Sequence, residues 1–425
     1  MRSRKTGQRV KKLLLFLLVA IFFSSMSGRC TAEEVSWEEA WRIITDKSPS
    51  LKATLYAVEV AKASLKLAGA GKRISADLAV TEAMLEGASD SFVGGITLSY
   101  SLNLAGKEEL EIASARIAYE EALLAYRISQ LQLFRNASFA YWNAVAANAA
   151  LRAAEEEIKK REAFLKDAKL RYEQGVVPQL DVLRAESALA EAKASYASKR
   201  AIRENYYAML KGLAGWTDIE PLKEAFEKVE VPIREQAPNY SGVVERHPSV
   251  ALQSLKVARN EILVKLAKSG MAPKVSISGT RNLFKEGSSS ASSSVEDRWS
   301  AQATLSIPLS DGGKTKWSVS QAKAQLNIAR AELGKEKAAV MEELFSAWED
   351  YRSALEDFAS SKKRLELVAR EREISVLRYN EGLSSQLDVL DAQSRYADSL
   401  ANYINAKKKV LVSYSRLDAA EGRLP

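Results

Sequence analysis

Two periodicities alternate along the chain, and they do so twice in the same order. A period near 3.6 comes first. Trp37, Ala40, Trp41 and Ile44 fall on one face of a short helix predicted over 35–47, and an Ala/Leu-rich helix runs from Ser48-Pro49-Ser50 to about Gly71. Period two then takes over: Ile74, Ala76, Leu78 and Val80 alternate with Ser75, Asp77, Ala79 and Thr81. Beyond a loop holding Gly87, Ser89 and Asp90, Ile96, Leu98, Tyr100, Leu102 and Leu104 alternate with Thr97, Ser99, Ser101 and Asn103. A helical run without Gly or Pro follows from Lys107 to Gln174, and a shorter one returns over Gln179–Leu213. The second half repeats this plan. His247-Pro248-Ser249 opens a helix to about Ser269, and Val275 and Ile277 alternate with Ser276 and Ser278. After a Gly/Ser-rich loop at 287–294, Trp299, Ala301, Ala303, Leu305 and Ile307 alternate with Ser300, Gln302, Thr304 and Ser306. The long run from Lys314 to Glu381 is interrupted only by Gly334, and its return covers Gln386–Leu417. At about 1.5 Å per residue each long run spans roughly 100 Å, too long to be buried in one globular domain.

The two long helices end in the same bend. Arg171-Tyr172-Glu173-Gln174-Gly175-Val176-Val177-Pro178-Gln179-Leu180-Asp181-Val182-Leu183 aligns without a gap to the stretch from Arg378 to Leu390. Arg171, Tyr172, Gly175, Gln179, Leu180, Asp181, Val182 and Leu183 each recur, as Arg378, Tyr379, Gly382, Gln386, Leu387, Asp388, Val389 and Leu390. A Gly after the last helical residue is a stop signal, so each stretch predicts the tight bend of an antiparallel helical hairpin. The chain is internally duplicated, with a first repeat over 33–240 and a second over 241–425. Gly215–Asn239, holding Pro221, Pro232 and Pro238, reads as an irregular connector between repeats that lie side by side.

The strand pairs admit two readings. A half-buried soluble sheet alternates in this way; so does a membrane β-barrel, apolar toward lipid and polar toward a wet lumen. The polar positions are almost entirely Ser, Thr, Asn and Gln, which favours a lumen. Four strands cannot close a barrel, and an open edge in lipid leaves backbone groups unsatisfied, so the membrane reading requires oligomerisation.

Charge changes the picture once the amino terminus is set aside. The formal net charge is +8, but Arg2, Arg4, Lys5, Arg9, Lys11 and Lys12 precede the apolar run Leu13–Phe23, and small and polar residues lead to Cys30-Thr31-Ala32. This is the form of a secretory signal peptide over 1–32, cleaved after Ala32; a spanning helix would need about 20 apolar residues. Its seven basic residues, taken from the chain's 62, leave 55 against 54 Asp+Glu, so nucleic-acid binding loses its support. Cys30 is the sole cysteine and leaves with the leader unless it is a lipid-attachment site, which Arg29 before it fits badly. With His247 the only histidine, a Ser-His-Asp or Cys-His arrangement and a multi-His metal site lack their residues, and an enzyme, a metal or a cofactor is not expected.

With these elements in place the chain resembles the TolC-type outer-membrane efflux proteins. The resemblance is carried by Arg-Tyr-x-x-Gly…Gln-Leu-Asp-Val-Leu at both bends and by Leu305-Ser-Ile-Pro-Leu-Ser-Asp-Gly-Gly-Lys314 entering the second long helix, and it covers essentially everything after the leader. It implies an α+β membrane protein: a homotrimer in which each chain gives four strands to a twelve-stranded outer-membrane β-barrel, continuous with a long periplasmic α-helical barrel. It also implies a passive exit duct of a tripartite efflux or type I secretion system, docked to a periplasmic adaptor and an inner-membrane transporter and held in outer-membrane lipid. The bends become the periplasmic tip. Asp388 and Asp391 match positions whose aspartates face the pore, and three-fold symmetry would stack them as acidic rings; the ordinary alternative is that Asp388 caps the return helix, as Asp181 would in the first repeat. Asp181 and Tyr379 match positions that hold the tip closed, while Ser384 stands where the best-known member has an arginine, so the closed tip is expected to be fastened differently. Gly175, Val176, Val177, Gly382 and Leu383 would be the adaptor-docking tips. The competing reading, a periplasmic coiled-coil adaptor without a pore, predicts one helical hairpin beside a compact β-rich module rather than two hairpins and two separated strand pairs.

Overall fold

The computed structural model describes residues 34–83, 91–217, 220–221, 226–287 and 299–425. The predicted leader with Cys30, the loop with Gly87, Ser89 and Asp90, and the Gly/Ser-rich loop beyond Gly287 lie outside the described residues. The helices are α1 (Trp37–Lys47), α2 (Pro49–Ala70), α3 (Lys107–Glu173), α4 (Gln179–Leu213), α5 (Tyr240–Arg246), α6 (Pro248–Lys268), α7 (Lys314–Asn380) and α8 (Gln386–Ala420). The strands are β1 (Glu34–Val35), β2 (Ser75–Ala83), β3 (Ser91–Asn103), β4 (Glu220–Pro221), β5 (Lys274–Gly287) and β6 (Trp299–Ser306). The first helix starts at Trp37 rather than at Val35. Ser36 Oγ accepts from the Glu39 N–H and the Glu39 carboxylate accepts from the Ser36 N–H, a capping box that fixes the start. Residues 34–35 pair in parallel with β4 instead. Gly334 does not break α7, and α8 continues three residues past Leu417.

Strands β2, β3, β5 and β6 form one antiparallel sheet in that order, and the β3–β5 pairing joins the two halves of the chain. Its register sorts the side chains by polarity. Tyr100, Ile277 and Ala303 lie across from one another, as do Leu102, Val275 and Leu305, while Ser99, Ser278 and Gln302, or Thr97, Thr280 and Ser300, form the ladders of the other face. The polar face bonds to itself: Thr97 and Thr280 hydroxyls are 3.2 Å apart and those of Ser75 and Ser99 2.6 Å. The apolar face is bare, with Leu98 49%, Ile277 51% and Leu305 58% exposed. None of the buried clusters among the described residues includes a strand residue. A soluble one-layer sheet would hide these side chains.

Burial is concentrated instead at the waist, near the midpoint of the long helices and roughly 50 Å from either end at 1.5 Å per residue. In the first half Leu133, Ala137, Tyr141 and Ala144 of α3 pack with Ile44, Tyr207 and Leu210. Trp37 and Trp41 close over this cluster, 5.3 Å from the Tyr141 ring and 5.5 Å from the Phe134 ring respectively. In the second half Leu344, Ala347, Trp348 and Tyr351 of α7 pack with Val410 and Leu417 of α8. The connector is pinned to α7 and α8. The Lys407 ammonium, buried in α8, donates to the Phe226 carbonyl at 2.6 Å; the Tyr351 hydroxyl donates to the Pro232 carbonyl at 2.7 Å and accepts from the Arg234 N–H at 2.8 Å. Helix α2 packs on α3, whereas α6 packs on both α3 and α7. No described helix is long and apolar enough to cross a membrane.

Candidate functional site at the helical bends

Both bends are built by the same hydrogen bonds. The Gly175 N–H donates to the Tyr172 carbonyl at 2.9 Å and the Val176 N–H to the Arg171 carbonyl at 2.9 Å; at the second bend Gly382 reaches Tyr379 at 3.0 Å and Leu383 reaches Arg378 at 2.8 Å. This pairing is the Schellman stop, and it needs the left-handed backbone that Gly175 (φ 70°) and Gly382 (φ 73°) supply. Val176 and Leu383 project beyond the helix ends, 66% and 69% exposed, and Val177 follows half-buried.

The return helices start differently. At α8, Ser385 Oγ accepts from the Asp388 N–H while the Asp388 carboxylate accepts from the Ser385 N–H at 2.9 Å. Asp388 is therefore a capping-box residue, and the Ser385 backbone and hydroxyl bonds hold its carboxyl below the usual carboxylate range. At α4 the capping position is Pro178, whose side chain offers no bond, and Asp181 sits in the first turn, 3.6 Å from Arg184. Asp391 is paired with Arg395 at 2.8 Å, and Arg395 also reaches Glu371 at 3.1 Å.

Tyr379 packs between the hairpins. Its ring lies 6.1 Å from Phe164, and the Arg171 guanidinium sits over it at 4.9 Å. Burial pushes its hydroxyl pKa up, the Arg171 charge opposes that, and Asp167 and Asp181 add to it. Tyr379 thus lies within electrostatic reach of Asp181, and Asp388 and Asp391 stand at the start of α8. The hydrogen bond that crosses between the bends runs from Gln386 Nε2 to the Asp181 main-chain carbonyl at 3.1 Å. Gln386 is buried, and its Oε1 has no partner among the described residues. Sequence reasoning assigned no role to Gln386, Arg171 or Arg395. Their signals were present: Gln386 and Arg171 belong to the duplicated motif, and Arg395 lies one helical turn after Asp391.

Above the bends, α3, α4 and α8 leave a groove of about 220 Å³ floored by Ala154, Ala188, Ala192 and Ala397. Arg161 and Glu157, paired at 2.6 Å, lie at its edge.

Comparison with known proteins agrees with this geometry. The outer membrane efflux protein family profile matches residues 43–215 and 239–423. Nodulation protein T of Rhizobium leguminosarum bv. trifolii is 21% identical over 79% of this chain and 72% of its own length. The probable efflux pump outer membrane protein TtgC of Pseudomonas putida is 24% identical over 76% of this chain and 67% of its own. Among solved structures, the Campylobacter jejuni CmeC outer membrane channel superposes with a TM-score of 0.78 at 18% identity, covering 91% of this chain and 85% of that one. The open-state MtrE outer membrane channel of Neisseria gonorrhoeae gives a TM-score of 0.80 at 18% identity, covering 91% and 89%. The chain belongs to the outer membrane efflux protein family, and is an exit duct of the outer membrane with a large periplasmic part.

Proposed function

We propose that three copies of this chain form a passive duct in which the sheets close a twelve-stranded barrel in outer-membrane lipid and the helical hairpins continue it through the periplasm. The observation that carries this reading is the bare sheet: polar on one face, apolar on the other, with β2 and β6 as open edges. In lipid those edges need strands from other copies. The two element sets, α2 to α4 and α6 to α8, are the two repeats, over 33–240 and 241–425. The duct works with an inner-membrane transporter and a periplasmic adaptor, which supply energy and gating while the duct does no chemistry. The exposed tips at Gly175, Val176, Val177, Gly382 and Leu383 and the alanine-floored groove above them support adaptor docking. Replacing Gly382 by Trp should abolish pump-dependent export and leave assembly intact; loss of assembly itself would assign Gly382 to folding.

Asp388 and Asp391 form the acidic rings of the entrance, with Asp388 dominant because Arg395 neutralises much of the Asp391 charge. Tyr379 and Asp181 hold the tip closed, with Gln386 taking part where Ser384 replaces the family's arginine. Single-channel conductance of the purified protein in a planar bilayer tests the reading. Cation-selective openings, lost in the Asp388→Asn/Asp391→Asn double variant and weakened more by Asp388→Asn than by Asp391→Asn, support it. A well-folded protein that stays silent, and stays silent with Tyr379→Phe and Asp181→Ala, favours the adaptor-like alternative.

A further inference from the structure

The side of the waist away from α1 is a groove, and its charges do not balance. Leu133, Ala137, Tyr141 and Ala144 of α3 face α1 and the buried cluster beneath it. Asn143, Ala146 and Ala150 stand about half a turn round the same helix from that face. Together with Lys199, Ile202 and Tyr206 of α4 and Ala401, Asn405 and Lys408 of α8, they line a hollow of about 280 Å³. Asn143, Asn405 and Lys408 also line an adjoining hollow of about 460 Å³, beside Phe139 and Val412. The Phe139 and Tyr206 rings meet edge-on where the two hollows join, their centroids 6.3 Å apart.

Nearby cations on α8 have carboxylate partners: Lys409 pairs with Asp357 at 2.8 Å, and Arg416 pairs with Asp350. Lys199 and Lys408 have none among the described residues, and no Asp or Glu lines the smaller hollow. The Lys408 ammonium donates to the neutral Asn405 side chain at 3.3 Å, and burial lowers its pKa with no charged neighbour opposing the shift. Carboxylates are plentiful in this chain, which holds 54 Asp+Glu, so their absence here is local. Half-burying an ammonium without a counter-ion is costly, and an anion beside it would recover that cost. The rest of the wall is apolar or amide. Ile202 is 46% and Phe139 42% exposed, and alanines make the floor. A cation is repelled by such a site, a hydrated inorganic anion leaves the apolar wall unused, and a neutral apolar molecule leaves both lysines unpaired. An anion with an apolar body satisfies every part of it.

We propose that this groove is a binding site for small organic anions, aromatic carboxylates or sulfonates, with Lys199 and Lys408 supplying the counter-charge and Ile202, Tyr206 and Phe139 receiving the apolar body. Its place in the duct follows from what packs on the other side. Elements as large as α1 and the connector would block a duct if they lay within it, so the face opposite them is the one turned to the lumen. This placement rests on the duct reading above and names a class of cargo for it, molecules that touch the wall as they pass the waist. Tip and waist then differ in sign, with Asp388 and Asp391 at one and unpaired lysines at the other. An anionic cargo is delivered past the tip by the partner transporter and is not drawn in by charge.

Isothermal titration calorimetry of the full-length protein in detergent tests the site with three probes that share one ring system: 2-naphthalenesulfonate, 2-naphthalenemethanol and 2-naphthylmethylammonium, each corrected for uptake by empty micelles. The sulfonate is expected to bind once per chain, and the neutral and cationic probes at least about tenfold more weakly. Lys408→Gln and Lys199→Gln should each weaken the sulfonate about tenfold, and Lys408→Arg should keep it. Lys409→Gln, whose lysine is already paired with Asp357, should leave it unchanged. Lys199 and Lys408 stand on different helices, so either Gln variant decides the matter if the other fails to fold. Equal binding of all three probes, or sulfonate binding indifferent to the Gln variants, overturns the site. Conductance of the same preparation separates this inference from the duct reading. Open channels without sulfonate binding remove the anion site and leave the duct standing; sulfonate binding in a protein that forms no channel removes the site's place in a duct.

Discussion

The waist and the tip of this molecule are held by opposite means. At the waist Tyr141, Leu344, Tyr351 and Leu417 are completely enclosed, aromatic rings contact one another from several elements, and the connector is bonded to α7 and α8. At the tip the helices lie near exposed Leu180, Leu183, Leu377 and Leu387, and among the described residues the Phe164–Tyr379 ring contact, cation–π contacts of Arg171 and Lys160, and the Gln386 hydrogen bond cross between the hairpins. Burial of apolar area is additive and non-directional, so the waist folds within one chain. A few directional contacts of about 1 kcal/mol each can be exchanged without unfolding anything. That division of labour suits the closed tip proposed above, whose contacts can part while the wall stays intact.

The largest effect that would break this contrast lies in the waist. Leu344→Ala removes a fully buried side chain and should cost about 2–5 kcal/mol, read as a lowered denaturation midpoint of the helical signal. A shift as small as that of a tip variant would mean that the waist is not the folding core. Next comes the sheet, whose apolar face is bare in the single chain. Leu98→Arg should cost about 2–4 kcal/mol per chain at the membrane midplane and reduce heat-modifiable outer-membrane protein, while Ser99→Arg on the polar face should assemble and change conductance instead. Equal loss from both would refute the assignment of faces.

A smaller effect sits where the last helix meets the connector. Burial raises the Asp418 pKa to about 6, Glu421 adds to the rise, and Arg234 and Arg423 oppose it. Because the folded pKa lies above the unfolded one, its contribution is full below the unfolded value near 3.8 and is lost as pH rises through about 6. Asp418→Asn should therefore stabilise the waist at pH 7, by on the order of 1 kcal/mol after solvent screening, with no gain at pH 3.5. Thermal melts at the two pH values read this directly, and a gain equal at both would remove the titration argument. The smallest change is expected at the tip. Gln386→Ala deletes a bond worth about 0.5–1.5 kcal/mol, which should leave the melting midpoint unchanged and raise open-channel occupancy several-fold in a bilayer. A drop in midpoint with unchanged gating would make the tip a folding element like the waist.

Some of this was legible in the residue order. The strands over 75–83 and 299–306 follow from strict alternation, because the pleat has period two. The long helices follow from runs free of Pro and, apart from Gly334, of Gly, and the bends from Gly175 and Gly382, where a left-handed residue is required. Asp388 as a cap was foreseeable from Ser385 three residues earlier. The anchoring of the connector was not. Lys407 sits in a Lys-rich stretch that reads as a wet helix face, and its partner Phe226 lies far away in sequence. Tyr351 likewise resembles any aromatic core residue until Pro232 and Arg234 are brought to it.

The sequence by itself determined the local geometry and its duplication, since helix, strand and bend depend on neighbours a few residues apart and both repeats carry the same signals. Only the tertiary structure decided which copy of each repeated residue is enclosed. Gln386 and Gln179 occupy equivalent places in the same motif, yet one is buried against Asp181 and the other faces outward. That difference arises because the two hairpins meet along one side of each bend only, and burial depends on what is packed alongside rather than on the residues that precede and follow.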